Sequence, residues 1–350
     1  MKGVLSRIPP AQAVVIFFLL AMVVAAVTLG LPVPGLLGDS LVRVAMNGVL
    51  VLSLVPMLRA GVGMNYGLPL CVLPGLLGMV LALELRMTGL VGLAVAVIFS
   101  VALAVPVGLG YAWLLRRVRS NEEVVGTFAG FSAVYLAAIL WGTAPFTNPQ
   151  MLWPIGGKGL RPQTNLTEWF GHVLDSLGSF TVLGVRVPTG TLLVVLFVAV
   201  CLLVYQRTLK GRAAVIAAEN ERFARVSGTD VERLKSVAVV ASTVIAAVGI
   251  VLYAHTYGFL QLYDAPLMMA FPAAAAILVG GYMRGTRASA SHALLGALLF
   301  NAILVFSTPI ANELLISELS DITRVLVTNG VILYAMVRGS RREQPERADS

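Results

Sequence analysis

The side chains that could do chemistry inside the apolar segments of this chain are amides and a phenol. Asn47, Asn65, Tyr66 and Asn301 lie within or near runs that are otherwise almost wholly apolar. An amide in a membrane span is costly unless it bonds to another helix or to a bound molecule. A single residue of this kind more often joins two helices, but the set suits a neutral polyol or nucleoside better than an ion. These four residues are the candidates for lining a solute path.

Groups that catalyse or drive reactions are missing from the sequence. It contains no phosphate-binding G-x-x-x-x-G-K-[ST] loop, no paired intramembrane carboxylates and no catalytic cluster. The three histidines, at positions 172, 255 and 292, are not spaced as metal ligands are. Both cysteines, Cys71 and Cys201, fall inside apolar runs. The sequence therefore predicts no metal, disulfide or cofactor. It predicts a non-enzymatic chain whose energy is delivered from elsewhere.

One water-exposed segment could receive that energy. Residues 207–235, called the charged segment below, lie between the apolar runs LLVVLFVAVCLLVY and SVAVVASTVIAAVGIVLY. A segment this polar cannot be buried in lipid. It is predicted to form two short amphipathic helices. The first ends at Ser227 and Gly228, where glycine can take a positive φ, and Thr229 and Asp230 cap the second.

The charged segment resembles the cytoplasmic coupling segment of bacterial ABC-importer permeases in the branched-chain amino acid, simple sugar and nucleoside group. That family typically reads G-R-A-x-R-A-x-G-x-N-P-x-A-A-R-x-S-G-I-x-V-x-R-x-K. The matching positions here are Gly211, Arg212, Ala213, Asn220, Ala224, Arg225, Ser227, Gly228, Val231, Arg233 and Lys235. The chain departs from the pattern at Ala218, Glu221 and Thr229, where the family often has Gly, Pro and Ile.

The resemblance implies that residues 212–228 dock into a groove on a partner ATPase. Apolar Ala, Val and Phe side chains would anchor the segment, and Glu219, Asn220 and Arg222 would set its register. An ordinary solvated loop is the alternative interpretation. The residues expected to couple the two proteins are Gly211, Arg212, Glu219, Asn220, Arg225, Ser227 and Gly228.

Composition predicts an all-α, polytopic membrane protein. The chain has 350 residues, of which 58% are hydrophobic and 12% charged, with a mean hydropathy of +0.89. Soluble domains carry about 25% charged residues. The apolar runs predict about ten spans, some of them broken, with both termini in the cytoplasm. Most Lys and Arg residues fall in the predicted inner segments, so the net charge of +8 reflects orientation rather than nucleic-acid binding.

Two predicted spans are interrupted. Pro266 and Pro272 divide the span Ala265–Tyr282. The third span is predicted to be broken, with a core packing kink as the alternative, because it contains Gly61, Gly63, Gly67, Pro69, Pro74, Gly75 and Gly78. Residues 1–338 are predicted to form one transmembrane domain, and 339–350 a disordered tail. Residues 144–189, the long loop, are predicted to lie outside, either as a lobe that meets a binding protein or as a passive connector.

The resemblance implies a permease subunit of an ABC importer in the bacterial inner membrane. It would work in the bilayer with ABC ATPase subunits, an extracytoplasmic substrate-binding protein and a second permease, identical or not. Residues 121–125 and the pair Glu219-Asn220 resemble the nucleoside-type branch, so the expected cargo is a nucleoside or simple sugar, with riboflavin as a further member. The alternatives are a branched-chain amino acid permease, a secondary transporter and a non-transporting membrane scaffold.

Overall fold

The computed structural model of this chain describes residues 10–118, 121–153, 158–175, 180–182, 185–282 and 287–314, and single positions between 322 and 333. Helices supply most of the regular structure in these residues. A 3-10 helix (Ala265–Met268) precedes α11. In chain order the helices are α1 (Pro10–Thr28), α2 (Val33–Leu52), α3 (Leu54–Arg59), α4 (Leu68–Glu84), α5 (Gly89–Arg117), α6 (Glu122–Thr143), α7 (Thr189–Arg207), α8 (Leu209–Glu219), α9 (Glu221–Val226), α10 (Val231–Tyr257), α11 (Ala270–Val279) and α12 (Ala290–Leu314).

The apolar helices fall where the sequence predicts membrane spans. Among the described residues, six helical segments are long and apolar enough to cross a membrane: Val33–Arg59, α5, α6, α7, α10 and α12. Three shorter apolar helices occupy the other predicted spans, at Gln12–Thr28, Leu68–Glu84 and Ala265–Val279. Residues 283–286, most of residues 322–337 and the predicted tail 339–350 lie outside the described residues.

The prediction of an all-α chain needs one small qualification. Four strands of three residues each occur in the described residues: β1 (Gln163–Asn165), β2 (Phe180–Val182), β3 (Val185–Val187) and β4 (Phe259–Gln261). Strand β1 pairs antiparallel with β4, and β2 pairs antiparallel with β3. All four lie in connections between apolar helices, so the helical character of the spans is unchanged.

The chain divides into two compact units, and the larger comprises residues 45–179 and 188–274. Within it α4, α5 and α10 pack against one another, and α6 packs on α4. Close packing depends on glycines of α4: a Cβ on Gly75 would collide with the carbonyl oxygen of Ala247, and one on Gly78 with the hydroxyl of Ser100. Small residues let helix backbones approach in this way in membrane proteins.

The break in the third span is confined to its entry. Residues 60–67 are non-helical, and Gly61 and Gly63 there have φ of +70° and +100°. From Leu68 the helix continues to Glu84, with Pro69 in its first turn and Pro74 inside it. The prediction that Pro74, Gly75 and Gly78 also interrupt this span is wrong, because the two glycines serve contacts with α10 and α5 instead.

The smaller unit comprises the described residues of 1–44, 180–187 and 275–350. Helix α12 packs against α1 within it, and the Gln12 amide donates a hydrogen bond to the Gly280 carbonyl. The end of α11 lies so close to α12 that a Cβ on Gly296 would collide with the carbonyl oxygen of Ala276. This unit is therefore also assembled through small residues.

Candidate functional site

The charged segment folds as three helical pieces rather than the two predicted. The Thr208 hydroxyl caps α8 by accepting from the Gly211 amide at 3.2 Å. Helix α8 stops at Asn220, whose backbone is non-helical and whose side chain accepts from the amide of Phe223 at 2.9 Å to begin α9. Gly228, at φ +77°, ends α9, and the Asp230 carboxylate caps α10. The second predicted short helix is in fact the first turns of the long helix α10.

Alanines of the charged segment are used within the chain. Ala217, Ala224 and Val231 form a buried cluster, with Leu234 packed against it. Ala214 and Val215 are also buried. The apolar side chains that project into solvent from α9 are Phe223 and Val226, which are 59% and 84% exposed. Phe223 and Val226 are therefore the large apolar side chains of α9 available to a partner, and Ile216 and Ala218 of α8 are exposed as well.

Ion pairs fasten α9 to the start of α10. The Arg225 guanidinium contacts the carboxylates of Glu221 at 2.6 Å and Glu232 at 2.8 Å, and the Lys235 ammonium contacts Glu221 at 2.9 Å. Hydrogen bonds from Arg225 and Lys235 lower the pKa of Glu221, and those to Glu221 and Glu232 raise the pKa of Arg225. A single exposed ion pair contributes little to stability, but these pairs together hold α9 in one orientation against the start of α10.

The remaining coupling candidates occupy distinct places along the segment. Gly211 is buried, and a Cβ there would collide with the carbonyl oxygen of Tyr205, so glycine permits the sharp turn from α7 into α8. Arg212, Glu219, Ser227 and Gly228 are exposed. The coupling candidates thus lie along one continuous stretch of chain. Gly211 supports the fold, and the four exposed residues face solvent.

A cleft of about 260 Å³ adjoins the network. Both signs of charge line it, and the apolar floor comes from Val62, Ala112, Leu115 and Val239. Its charged lining residues are Arg116, Glu122, Glu221, Arg225, Glu232 and Lys235. Because the charges are balanced, the cleft has no preference for an anion or a cation on charge alone.

Asn65, a predicted path residue, is engaged entirely by other helices of the larger unit. It is 1% exposed. Its Oδ1 accepts from the Tyr111 hydroxyl of α5 at 3.1 Å, and its Nδ2 donates to Ser242 Oγ of α10 at 3.0 Å. A weaker contact reaches the Cys71 sulfur at 3.5 Å. This geometry favours the alternative weighed from the sequence, an amide that joins helices.

The other path candidates lie on different elements. Tyr66 is half-buried, and its ring lies 5.7 Å from that of Phe271, centroid to centroid. Asn47, in α2, is partly buried. Asn301 lies in α12 of the smaller unit, where its Nδ2 donates to the Ala297 carbonyl at 2.7 Å. Asn47, Asn65 and Tyr66 therefore belong to the larger unit, and Asn301 belongs to the smaller one.

A second cavity, of about 540 Å³, opens between α4, α5 and α6. Its lining is apolar apart from Trp141 and Thr143, and includes Leu73, Leu103 and Leu136. Such a surface offers too few polar groups to recognise a polar solute, since specific sites combine apolar walls with several placed donors and acceptors. This cavity is therefore a poor candidate for a cargo site.

The long loop is anchored to the larger unit at several points. The Glu84 carboxylate accepts from the Thr147 amide at 2.8 Å and the Asn148 amide at 3.2 Å. The Thr191 hydroxyl donates to the Asp175 carboxylate at 2.6 Å, which ties the loop to α7. Trp153 remains exposed. The described part of the loop is thus held to α4 and α7 by specific bonds, and its role as a lobe or as a connector stays a prediction.

Sequence reasoning missed several residues that organise the site. Tyr111 and Ser242 complete the bonding of Asn65, and Glu123 accepts from the Met64 amide at 2.9 Å. Glu221 was noted only as a departure from the family pattern. Its i, i+4 spacing to Arg225 was a usable signal, because carboxylates and guanidinium groups at that spacing meet on a helix.

Comparison with known proteins gives one match. A protein-family model described as "Branched-chain amino acid transport system / permease component" matches residues 13–337. No curated protein and no solved structure matches the chain.

Proposed function

This chain belongs to the branched-chain amino acid transport system permease family of ABC transporters, and on that premise we propose that it forms the translocation path of an importer for a small neutral solute. Family membership and the apolar helices make it a multi-pass protein of the inner membrane. Permeases of this family act with an ATPase and a binding protein. The proposal extends to where this chain meets the ATPase and what it carries.

The charged segment is proposed to be the cytoplasmic coupling segment. The observation that carries this assignment is the exposure of Phe223 and Val226 on α9, beside side chains that hold α9 against α10. A rigid support with protruding aromatic and aliphatic side chains suits docking into a groove, since well-packed anchors of this kind dominate interface energies. The buried alanines give the support, and Glu219 and Arg222 flank the anchors.

Co-purification with the ABC ATPase partner tests this assignment. Replacing both Phe223 and Val226 by Ala should lower the amount of ATPase recovered at least tenfold, because truncating each anchor costs about 1–2 kcal/mol and about 1.4 kcal/mol is tenfold in affinity. Met268→Ala serves as the matched control, because Met268 is 67% exposed and lies outside the charged segment. Equal recovery with the double variant and the wild type would contradict the docking assignment.

The energy source follows from family membership, which disfavours the alternative of a secondary transporter. Uptake by reconstituted complex should require ATP and should persist when protonophores or sodium ionophores dissipate ion gradients. A second permease chain, either this one or a paralogue, is part of the proposed assembly. Its identity can be determined by the mass of the purified complex.

The proposed cargo is a nucleoside or simple sugar, with riboflavin as the third candidate. Support comes from the resemblance of residues 121–125 and of Glu219-Asn220 to the nucleoside-type branch, and from uncharged polar side chains in and near the spans. Uptake of radiolabelled uridine, ribose, riboflavin and leucine, each with the cognate binding protein, separates the candidates. Leucine uptake alone would replace this cargo by a branched-chain amino acid.

A further inference from the structure

The non-helical stretch at residues 60–67 contacts the charged segment near the end of α8, where Gly61 lies against Ala218. Gly61 has φ +70°, and a Cβ built on it would lie 2.9 Å from Ala218 Cβ and 3.0 Å from Ala218 Cα. No side chain therefore separates the backbone of Gly61 from α8. A displacement of α8 towards Gly61 is therefore met directly by this backbone, because the packing leaves no room for a side chain between them.

The middle of the same stretch is braced by the start of α6. The Glu123 carboxylate accepts a hydrogen bond from the Met64 amide at 2.9 Å. Gly63, at φ +100°, passes so close that a Cβ there would lie 2.9 Å from Glu123 Oε1. The middle of the stretch is thus tied to the first turn of α6.

The end of the stretch carries two of the polar residues considered for the solute path. Asn65 bonds to Tyr111 and Ser242, and Tyr66 lies against Phe271 of α11. The next residue, Gly67, lies under the Tyr111 hydroxyl, where a Cβ would not fit. Eight consecutive residues thus connect α8 to α5, α6, α10 and α11.

We propose that residues 60–67 are a mechanical relay that transmits movement of the charged segment to Asn65 and Tyr66. Gly61 is the positioning residue of this relay, because it allows backbone contact with α8. The inference rests on the proposed function, in which the ATPase moves α8 and α9. It adds the route by which that movement reaches the membrane-embedded polar groups.

The substitution Gly61→Ala tests the relay. It places a methyl group against Ala218 and disfavours the left-handed backbone, so it should misplace the relay without altering Phe223 or Val226. In proteoliposomes with the ATPase and binding protein, solute transported per ATP hydrolysed should fall about tenfold or more, because the added methyl group overpacks the contact with Ala218, at a cost of about 1–3 kcal/mol. ATPase recovery in co-purification should stay at the wild-type level.

Gly30→Ala is the matched control. Gly30 has the same φ of +70°, but nothing lies within 4 Å of a Cβ built there. It therefore reproduces the backbone strain without the contact to α8, and should leave transport per ATP unchanged. A fall of equal size in both variants would assign the effect to strain and overturn the relay.

A second pair of variants covers the case in which Gly61→Ala does not accumulate in the membrane. Glu123→Ala removes the acceptor for the Met64 amide and should lower transport per ATP, whereas Glu123→Gln retains an acceptor oxygen and should restore it. Wild-type transport per ATP in Gly61→Ala, or in Glu123→Ala, overturns the relay while the proposed function stands. Failure of the wild-type chain to bind the ATPase overturns the proposed function itself.

Discussion

The Tyr111 hydroxyl donates a hydrogen bond to the Asn65 side-chain oxygen at 3.1 Å. It joins the non-helical entry of the third span to the C-terminal part of α5. Both side chains are almost completely buried. In such surroundings a polar atom that loses its partner costs more than the bond itself contributes, because no water replaces the partner.

Tyr111→Phe should therefore destabilise the folded protein. It removes the donor and leaves the Asn65 oxygen buried without that partner, at a cost of about 1–3 kcal/mol. The thermal unfolding midpoint in detergent, followed by tryptophan fluorescence, measures the effect. Tyr135→Phe removes a hydroxyl from an exposed residue of α6 and should leave the midpoint unchanged. Equal midpoints for Tyr111→Phe and the wild type would show that the bond contributes nothing.

Gly296→Ala should be among the single substitutions that most lower the stability of the smaller unit. The added methyl would collide with the Ala276 carbonyl oxygen, so α11 and α12 must separate. Gly110→Ala is the opposing case, because Gly110 lies inside α5 with nothing within 4 Å of an added Cβ. Alanine is favoured over glycine in a helix by about 1 kcal/mol, so this variant should be slightly stabilised. Unfolding midpoints of the two variants should shift in opposite directions.

The sequence predicts the order and position of the apolar helices well, because each span depends on local composition. It also predicts the cap at Asp230, since capping is decided within a few residues. It cannot predict that Asn65 meets Tyr111 and Ser242, which lie 46 and 177 positions away. Which distant helices meet is decided by packing of small residues, and a single sequence does not reveal those pairings.

Two further features escape sequence reasoning for physical reasons. Strands β1 and β4 are three residues long, too short to show an alternating pattern, and their pairing joins distant parts of the chain. The structural role of a glycine is also ambiguous from the sequence alone. Gly61 ends regular structure whereas Gly75 and Gly78 permit helix contact, and the distinction depends on neighbours that the sequence does not place.

The ion-pair network should respond to acid at Glu221. Hydrogen bonds from Arg225 and Lys235 lower the pKa of this carboxyl from its ordinary value of 4.5. A lowered carboxyl pKa contributes stability that is complete above the ordinary value and is lost as the pH falls through the folded value. The raised pKa of Arg225 changes nothing in acid, because the guanidinium stays charged throughout this range. The network should therefore loosen only below about pH 4.5.

A spin label at position 226 can follow this loosening. Val226→Cys is exposed, and the exposed Cys201 is first replaced by Ser so that it does not react. Label mobility should be constant from pH 8 down to about pH 5 and should rise in stronger acid. In Glu221→Gln the mobility should be raised at neutral pH and should respond less to acid. A pH response that Glu221→Gln does not alter would show that another group is responsible.

Gly228→Val should uncouple ATP hydrolysis from uptake while leaving membrane insertion intact. Gly228 has φ +77° between α9 and α10, and nothing lies within 4 Å of an added Cβ, so any effect comes from the backbone alone. Valine is strained in that conformation, whereas Asn adopts it more readily, so Gly228→Asn should retain most of the coupling. Uptake and hydrolysis are measured together in proteoliposomes. Helix α9 carries the exposed Phe223 and Val226. A change in the angle between α9 and α10 therefore changes the direction in which both side chains project. Wild-type uptake in Gly228→Val would show that the angle between α9 and α10 does not matter for coupling.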